Sequence, residues 1–112
     1  MKQAKILVLE DNNEDTLLLK SFFKRDKIHN HVIYASNIAE AKAAAAMCDF
    51  DLALIDIRLP DGNGVDFAES LAATHEHIVI IMLSGSNDSK FNSTLNTLGL
   101  GVKVAVISYK AF

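Results

Sequence analysis

Carboxylates directly follow two apolar segments of this chain. Glu10 and Asp11 come after Ile6–Leu9, and Asp56 comes after Leu52–Ile55. Short apolar runs bounded by turn residues are typical of strands buried on both faces of a parallel sheet. Ligands of open α/β sheets bind at the carboxyl ends of such strands. If the first and third strands are neighbours, as in one common doubly wound order, the three carboxylates converge.

Converging carboxylates favour one kind of chemistry. Like charges raise one another's pKa, so a packed cluster is costly unless a cation neutralises it. Ligand sets made only of oxygen suit hard ions, and we expect Mg²⁺, with Mn²⁺ as the alternative. Mg²⁺ commonly binds phosphate oxygens together with a few carboxylates, and an aspartate can act as a nucleophile that forms an aspartyl phosphate. A phosphoryl-transfer site is therefore predicted around Asp56.

Two further polar residues follow later apolar segments. Ser84 comes after Ile78–Leu83, and Lys110 comes shortly after Val102–Ser108. A hydroxyl and an ammonium group can bind an anionic phosphoryl group in transfer. Each residue also has a simpler explanation, Ser84 as a helix cap and Lys110 as a solvated residue, but the joint placement at strand ends favours a site.

The elements that must position these residues alternate regularly between strand and helix. Such alternation predicts right-handed βαβ crossovers and a parallel sheet covered on both faces, which is a small doubly wound α/β fold. The expected strands are Ile6–Leu9, His31–Ala35, Asp51–Asp56, Ile78–Leu83 and Val102–Ser108. Four helices are expected between them, the last from near Asp88 to Leu98, and no helix follows the fifth strand.

Capping residues and apolar spacing predict where the helices begin and which face is buried. Asn12 or Asn13 can cap the first helix, in which Leu18/Phe22 and Leu19/Phe23 recur four residues apart. Asn37 and Glu40 have the spacing of a capping box for an alanine-rich second helix. In the third helix Val65, Ala68, Leu71 and Ala72 share one face, and Met47 and Met82 are expected in the core.

Bulk composition excludes several classes of protein. The chain has 112 residues, of which 50% are hydrophobic, and a formal charge of −3. It is long enough for one domain, 1–112, and offers no basic field for direct nucleic-acid binding. Neither a secretory signal nor a membrane-spanning run is found, and the single cysteine, Cys48, fits a reducing compartment. We expect a soluble cytoplasmic protein with no membrane partner and no effector domain.

Several motifs in this order resemble the receiver domain of two-component response regulators. The segment Ile6–Asn12 matches the family's first strand and acidic pair, and Asp56 with Pro60 and Gly64 matches the phosphoacceptor and its loop. Leu83–Gly85 matches the hydroxyl site, and Lys110 matches the terminal lysine. The resemblance covers nearly the whole chain and implies a flavodoxin-like sheet of order 2-1-3-4-5.

The resemblance also implies a function. Asp56 would accept a phosphoryl group from a sensor histidine kinase or phosphotransfer protein, and the domain would then change its surface toward a downstream protein partner. As an enzyme it would catalyse at most its own phosphorylation and slow autodephosphorylation. The implied Mg²⁺ ligands are Glu10, Asp11, Asp56 and the backbone carbonyl of Arg58. Ser84 and Lys110 would contact the phosphoryl group.

Departures from the family pattern lie at the C-terminal end. The family usually has Lys-Pro with a cis peptide, whereas this chain has Lys110-Ala111, and a cis bond there costs about 2.5–4 kcal/mol. Ile107 stands at the usual aromatic position, and Tyr109 directly precedes the lysine. Because the family's final helix has no counterpart, the domain is expected to be C-terminally short. An uncovered sheet face could then support a homodimer, or the chain is a fragment.

Other functions fit these residues less well. Phosphatases of the haloacid dehalogenase type need a second aspartate two residues after the nucleophile, where this chain has Arg58, and nucleases of the Toprim type fail for the same reason. The pairs His29/His31 and His75/His77 are better explained as loop residues than as metal ligands. A phosphorylation-independent receiver-like interaction module remains the alternative, since the C-terminal motifs are altered.

Overall fold

The computed structural model describes residues 4–25, 30–83 and 104–107 of the chain. The helices are α1 (Asn13–Arg25), α2 (Ile38–Met47) and α3 (Gly64–Thr74). The strands are β1 (Ala4–Leu9), β2 (Asn30–Ala35), β3 (Leu52–Asp56), β4 (Arg58–Leu59), β5 (Gly62–Asn63), β6 (Val79–Leu83) and β7 (Val104–Ile107).

Five parallel strands form one sheet in the order β2-β1-β3-β6-β7. Once the two short strands β4 and β5 are counted apart, this is the predicted order 2-1-3-4-5. Parallel pairing places Leu9 opposite Ile55, and Asp56 opposite Leu83. The predicted flavodoxin-like doubly wound fold is therefore confirmed.

Both faces of the central strands are buried, as their unbroken apolar runs predict. Along β1, Leu7 and Leu9 belong to a cluster that packs under α2 and α3, whereas Ile6 and Val8 belong to a second cluster on the side of α1. Ile6 is 5% exposed and the other three are fully buried. Each such side chain contributes about 1.5–3 kcal/mol relative to exposure, so the sheet is a rigid support for the residues at its edge.

Helix α1 buries one of the two stripes that its sequence allows. The Asn12 side chain caps it, since Oδ1 accepts a hydrogen bond from the Asp15 amide at 3.0 Å. Leu19 and Phe23 pack against the sheet, but Leu18 is 64% exposed, so the expectation for Leu18 is wrong. Consecutive leucines make two faces of this helix apolar, and the sheet can cover only one of them.

Helix α2 has the predicted cap with a different reciprocal bond. Asn37 Oδ1 accepts from the Glu40 amide at 2.8 Å. The Glu40 carboxylate accepts from the amide and hydroxyl of Ser36, at 2.8 and 2.9 Å, and thereby fixes the residue before the cap. At the other end Met47 is 86% exposed, which corrects its assignment to the core, whereas Met82 is fully buried as expected.

A two-stranded hairpin occupies the segment that the resemblance assigns to the loop after Asp56. Arg58 pairs with Asn63 and Leu59 pairs with Gly62 in antiparallel β4 and β5. The carboxylate of Asp61, at the tip, reaches the start of α2. Its two oxygens accept hydrogen bonds from the backbone amides of Ile38 at 2.8 Å and of Ala39 at 3.0 Å, so Asp61 and Asn37 together satisfy the first turn of α2.

Helix α3 begins in close contact with the end of β3. A Cβ atom on Gly64 would lie 1.9 Å from the backbone oxygen of Asp56, a separation that no side chain tolerates. Asn63 caps the helix by accepting from the Val65 amide at 2.7 Å. The predicted stripe is confirmed, since Val65, Ala68 and Leu71 are buried and Ala72 packs against them.

Some expectations fall on residues that the structure does not describe. The helix from Asp88 to Leu98, Ser84, Lys110, Ala111 and the absence of a final helix lie outside the described residues, and so does any sheet face that they would cover. These expectations stay predictions. None of the helices in the described part of the chain combines the length and apolar character that crossing a membrane requires.

Replacing Gly64 with alanine tests the close contact at the start of α3. Alanine has the higher helix propensity, so local structure alone predicts a small gain in stability. We expect instead a loss of about 2–3 kcal/mol in the free energy of unfolding, because the new methyl group forces the end of β3 and α3 apart. Urea unfolding measures this, with Glu69→Ala in exposed α3 sequence as a control expected to stay within about 0.5 kcal/mol. A stability equal to that of the wild type would contradict the contact.

The capping carboxylates predict how stability depends on acid. The hydrogen bond from the Ile38 amide is the main cause that lowers the pKa of Asp61 below its ordinary 3.8, and the one from the Ser36 amide lowers that of Glu40 below 4.5. Because the folded protein holds these protons less tightly, their stabilisation is complete above pH 4.5 and is lost as pH falls through the lowered values. Urea unfolding at a series of acidic pH values measures this loss. In Glu40→Gln and in Asp61→Asn the free energy of unfolding should fall less steeply with decreasing pH than in the wild type. The same slope as in the wild type would refute the prediction.

Candidate metal and phosphoryl site

The first and third strands bring two acidic residues together at the carboxyl edge of the sheet. Leu9 and Ile55 are paired in the register of β1 and β3, so Glu10 and Asp56 extend from neighbouring strands at the same level. Both are buried, at 3% and 5% exposure, while Asp11 is exposed. Carboxylates are almost never buried to this degree unless they have partners. The position of this pair therefore follows from the pairing of two fully apolar strands.

The predicted convergence of three carboxylates is present in the structure. One oxygen from each of Glu10, Asp11 and Asp56 lies within 4.8 Å of the others. At that separation like charges repel one another. A cation bound between them would remove this repulsion.

Backbone hydrogen bonds and tight packing fix the direction of Asp56. The amide of Ile57 donates to the carbonyl of Leu83 at 3.3 Å, which ties the end of β3 to β6. The amide of Gly64 donates to the carbonyl of Ile57 at 2.7 Å, and the Arg58 amide lies 3.4 Å from Asp56 Oδ1. The chain thus turns sharply after Asp56, and its carboxylate stays at the open edge.

Glu10 is held in a similar way from the other strand. Its amide donates to the carbonyl of Ala35 at 3.0 Å, which continues the ladder between β1 and β2. Its Oε1 accepts from the amide of Asn12 at 3.1 Å, so the carboxylate also shapes the turn into α1. One oxygen of Glu10 thus supports the turn, and the side chain still belongs to the carboxylate cluster.

The donor set fits a hard divalent cation. All the clustered side-chain ligands are carboxylate oxygens, two of them buried, on a sheet whose core holds them rigidly. Mg²⁺ and Mn²⁺ prefer such ligands and retain water or phosphate oxygens in their other positions. The arrangement can therefore hold a metal ion beside the Asp56 carboxylate at the sheet edge.

A groove in the described part of the chain lies away from the acidic cluster. It encloses about 390 Å³ between α2 and α3 and is lined by Lys42, Ala45, Ala46, Phe67, Ser70, Leu71, Thr74 and His75. None of the clustered carboxylates contributes to it. Small alanine side chains on α2 leave this space between the helices.

Three predicted site residues are thus brought together, and others stay untested. Ser84 and Lys110 lie outside the described residues. Arg58 is described, and its predicted role as a ligand concerns only its backbone carbonyl, which belongs to the hairpin. Sequence reasoning missed Asp61 and the hairpin, although Pro60-Asp61-Gly62 carried a turn signal that showed where the chain reverses but not what the carboxylate contacts.

Comparison with known proteins gives a consistent result. The family model described as "Response regulator receiver domain" matches residues 6–105. The response regulator protein PilR of Pseudomonas aeruginosa is 33% identical over 91 residues, which is 80% of this chain and 20% of PilR. The chain spans about a fifth to about a third of the length of the curated relatives it matches.

Solved structures agree in fold. The chemotaxis protein CheY4 of Vibrio cholerae matches with a TM-score of 0.82 at 18% identity, over 96% of this chain and 88% of that one. The MaeR response regulator bound to beryllium trifluoride matches with a TM-score of 0.70 at 30% identity, over 89% of this chain and 80% of that one. Each match covers at least 89% of this chain and at least 80% of the solved structure.

Repulsion between the clustered carboxylates predicts how the stability of the metal-free protein changes when one carboxylate is removed. Asparagine at position 56 has the same shape and still accepts a hydrogen bond at Oδ1, but carries no charge. We expect Asp56→Asn to raise the free energy of unfolding by about 1 kcal/mol in a chelator, since the substitution removes one of three like charges that repel one another at short distance.

Adding Mg²⁺ should reverse the order of stability. A cation that binds the folded state alone stabilises it, so the wild type gains more from Mg²⁺ than the variant does. Thermal unfolding with and without Mg²⁺ measures both effects, and Glu69→Gln serves as a distant carboxylate control. A wild-type protein that Mg²⁺ does not stabilise would speak against the metal site.

Proposed function

The chain belongs to the response regulator receiver domain family, and on that premise we propose that it is a phosphoacceptor in two-component signal transduction. Asp56 takes the phosphoryl group in this proposal, in a reaction that depends on Mg²⁺. The observation that carries it is the cluster of Glu10, Asp11 and Asp56 at the carboxyl edge of a receiver fold. Receiver domains generally bind Mg²⁺ through an acidic pocket, and this cluster is such a pocket.

The proposed transfer is a single displacement at phosphorus. A carboxylate oxygen of Asp56 attacks the phosphorus atom of a phosphohistidine, a P–O bond forms, and the P–N bond breaks. Its electron pair leaves with the imidazole nitrogen, which then takes up a proton. When bound, Mg²⁺ neutralises charge on the transferred oxygens. The chain's own part is to hold the nucleophile at the open edge, through the turn at Ile57 and the close approach of Gly64.

The remaining ligands and contacts follow the family pattern. We assign the backbone carbonyl of Arg58 as a metal ligand, together with Glu10, Asp11 and Asp56. Its place in the hairpin directly after Asp56 supports this assignment. Ser84 is proposed to bond a phosphoryl oxygen and Lys110 to pair with the group's charge. For these two the support is their position after apolar segments.

Partners follow from the same family. Receiver domains interact with histidine kinases or phosphotransfer proteins and with downstream effectors, and we propose one of each for this chain. The added phosphoryl group carries about −1.5 to −2 charges, enough to bias a two-state surface toward the effector. MaeR was solved with beryllium trifluoride bound, and the same reagent is a suitable probe here. We propose residues 1–112 as one receiver unit.

Phosphorylation by a small donor tests the proposal. Incubated with Mg²⁺ and acetyl phosphate, the wild type should gain the mass of one phosphoryl group, and Asp56→Asn should gain none. Omission of Mg²⁺ should suppress the gain, and Asp66→Asn, an exposed aspartate of α3, should leave it intact. Intact-protein mass spectrometry reads each result. A folded wild type that takes no phosphoryl group would instead favour an interaction module that works without phosphate, as the altered Lys110-Ala111 pair would allow.

A further inference from the structure

The hairpin formed by β4 and β5 connects the acidic cluster to the start of α2. At its base, the Arg58 amide lies 3.4 Å from Asp56 Oδ1, and the Gly64 amide donates to Ile57 O at 2.7 Å. At its tip, Asp61 binds two amides of α2. The segment 57–63 thus has its base beside the proposed nucleophile and its tip on α2.

The contact at the tip is close and specific. Asp61 uses both carboxylate oxygens, one on the Ile38 amide at 2.8 Å and one on the Ala39 amide at 3.0 Å. These bonds join residues 23 and 22 positions apart in the chain. The negative charge also lies at the positive end of the α2 dipole. Charge and hydrogen bonding therefore favour the same position of the hairpin.

Gly62 shows independently how near the tip lies to α2. Its φ is +154°, and a Cβ atom there would be 2.9 Å from Ile38 Cδ1. The positive φ favours glycine at this position, and the short distance shows that the tip lies against Ile38. Asp61 and Gly62, two successive residues of the tip, thus both approach the start of α2.

Arg58 lies on this hairpin, three residues before Asp61. Its backbone carbonyl is the one ligand of the proposed metal site that comes from neither a strand of the main sheet nor the acidic pair. The pairings of Arg58 with Asn63 and of Leu59 with Gly62, the packing of Leu59 on the core and the attachment at the tip together restrain where the strand β4 lies. A carbonyl that must face a metal ion depends on such restraint, since residues that orient a ligand influence metal affinity strongly.

We propose that Asp61 is a positioning residue for the metal site, acting by tying the hairpin that carries the Arg58 carbonyl to the first turn of α2. This inference rests on the proposed function, because it assumes that a metal ion binds at the acidic cluster. Asp61 itself contacts neither metal nor phosphoryl group. By the reciprocity of linked equilibria, occupation of the site also stabilises the attachment at Ile38 and Ala39.

Mg²⁺ affinity measured by calorimetry tests the proposal. Asp61→Ala should weaken Mg²⁺ binding about tenfold, at the lower end of the range for residues that orient metal ligands. Asp61→Asn should fall between, because its one amide oxygen can accept from only one of the two backbone amides. The affinity for beryllofluoride in the presence of Mg²⁺, followed by fluorine NMR, should fall in the same order.

Glu40→Gln is the matched control. Glu40 is also an exposed carboxylate in the first turn of α2, but it binds Ser36 and not the hairpin. The variant removes the same charge from the same helix end, so its Mg²⁺ affinity should change by less than about twofold. Equal weakening by Glu40→Gln and Asp61→Ala, or wild-type affinity in Asp61→Ala, would overturn the proposal.

The wild-type protein provides a second measurement. Mg²⁺ with beryllofluoride should slow hydrogen exchange of the Ile38 and Ala39 amides more than that of the Glu40 amide, which binds Asn37 instead. Equal or absent protection would contradict the coupling even if a variant failed to fold. Failure of the proposed function looks different: the wild type would then bind no Mg²⁺ at all, before any variant is compared.

Discussion

The structure depends on holding three carboxylates within 4.8 Å of one another at the edge of a hydrophobic sheet. Nothing in the intrinsic chemistry of Glu10, Asp11 and Asp56 favours this arrangement, since like charges repel one another. The pairing of β1 with β3 imposes it. Both strands are buried on both faces, so a shift in register would remove large apolar side chains from the places where they pack in the two core clusters.

The apolar strands and the close contacts in the turns after them both serve to hold the carboxylates in place. The apolar runs fix the level at which each strand ends, and the residues directly after them inherit that position. Gly64 lets α3 begin against the backbone oxygen of Asp56, and the Glu10 carboxylate helps to turn the chain into α1. On the side of the sheet, these contacts fix the strand ends from which Glu10 and Asp56 extend.

Strand order, the convergence of the carboxylates and the helix caps could be predicted from sequence because each depends on a local pattern or on a family likeness. The failures arise where the local pattern allows more than one answer. In α1 both Leu18 and Leu19 are apolar, and only the position of the sheet decides between them. In α2 a run of alanines carries no periodicity, so the exposure of Met47 could not be inferred. Glu40 had the spacing for a reciprocal cap, yet Ser36 offered two donors.

Asp61 illustrates the hardest kind of residue to interpret from sequence. A Pro-Asp-Gly segment predicts a turn, and within that turn an aspartate is explained by its own backbone, so nothing local indicates a partner 22 or 23 residues earlier. The partner becomes evident only when the hairpin is placed over α2. Because the same short segment begins at the proposed phosphoacceptor, its tip links chemistry at the sheet edge to a helix that contributes no ligand. In the proposed arrangement, a metal ligand is thus positioned through a residue that does not itself contact the metal.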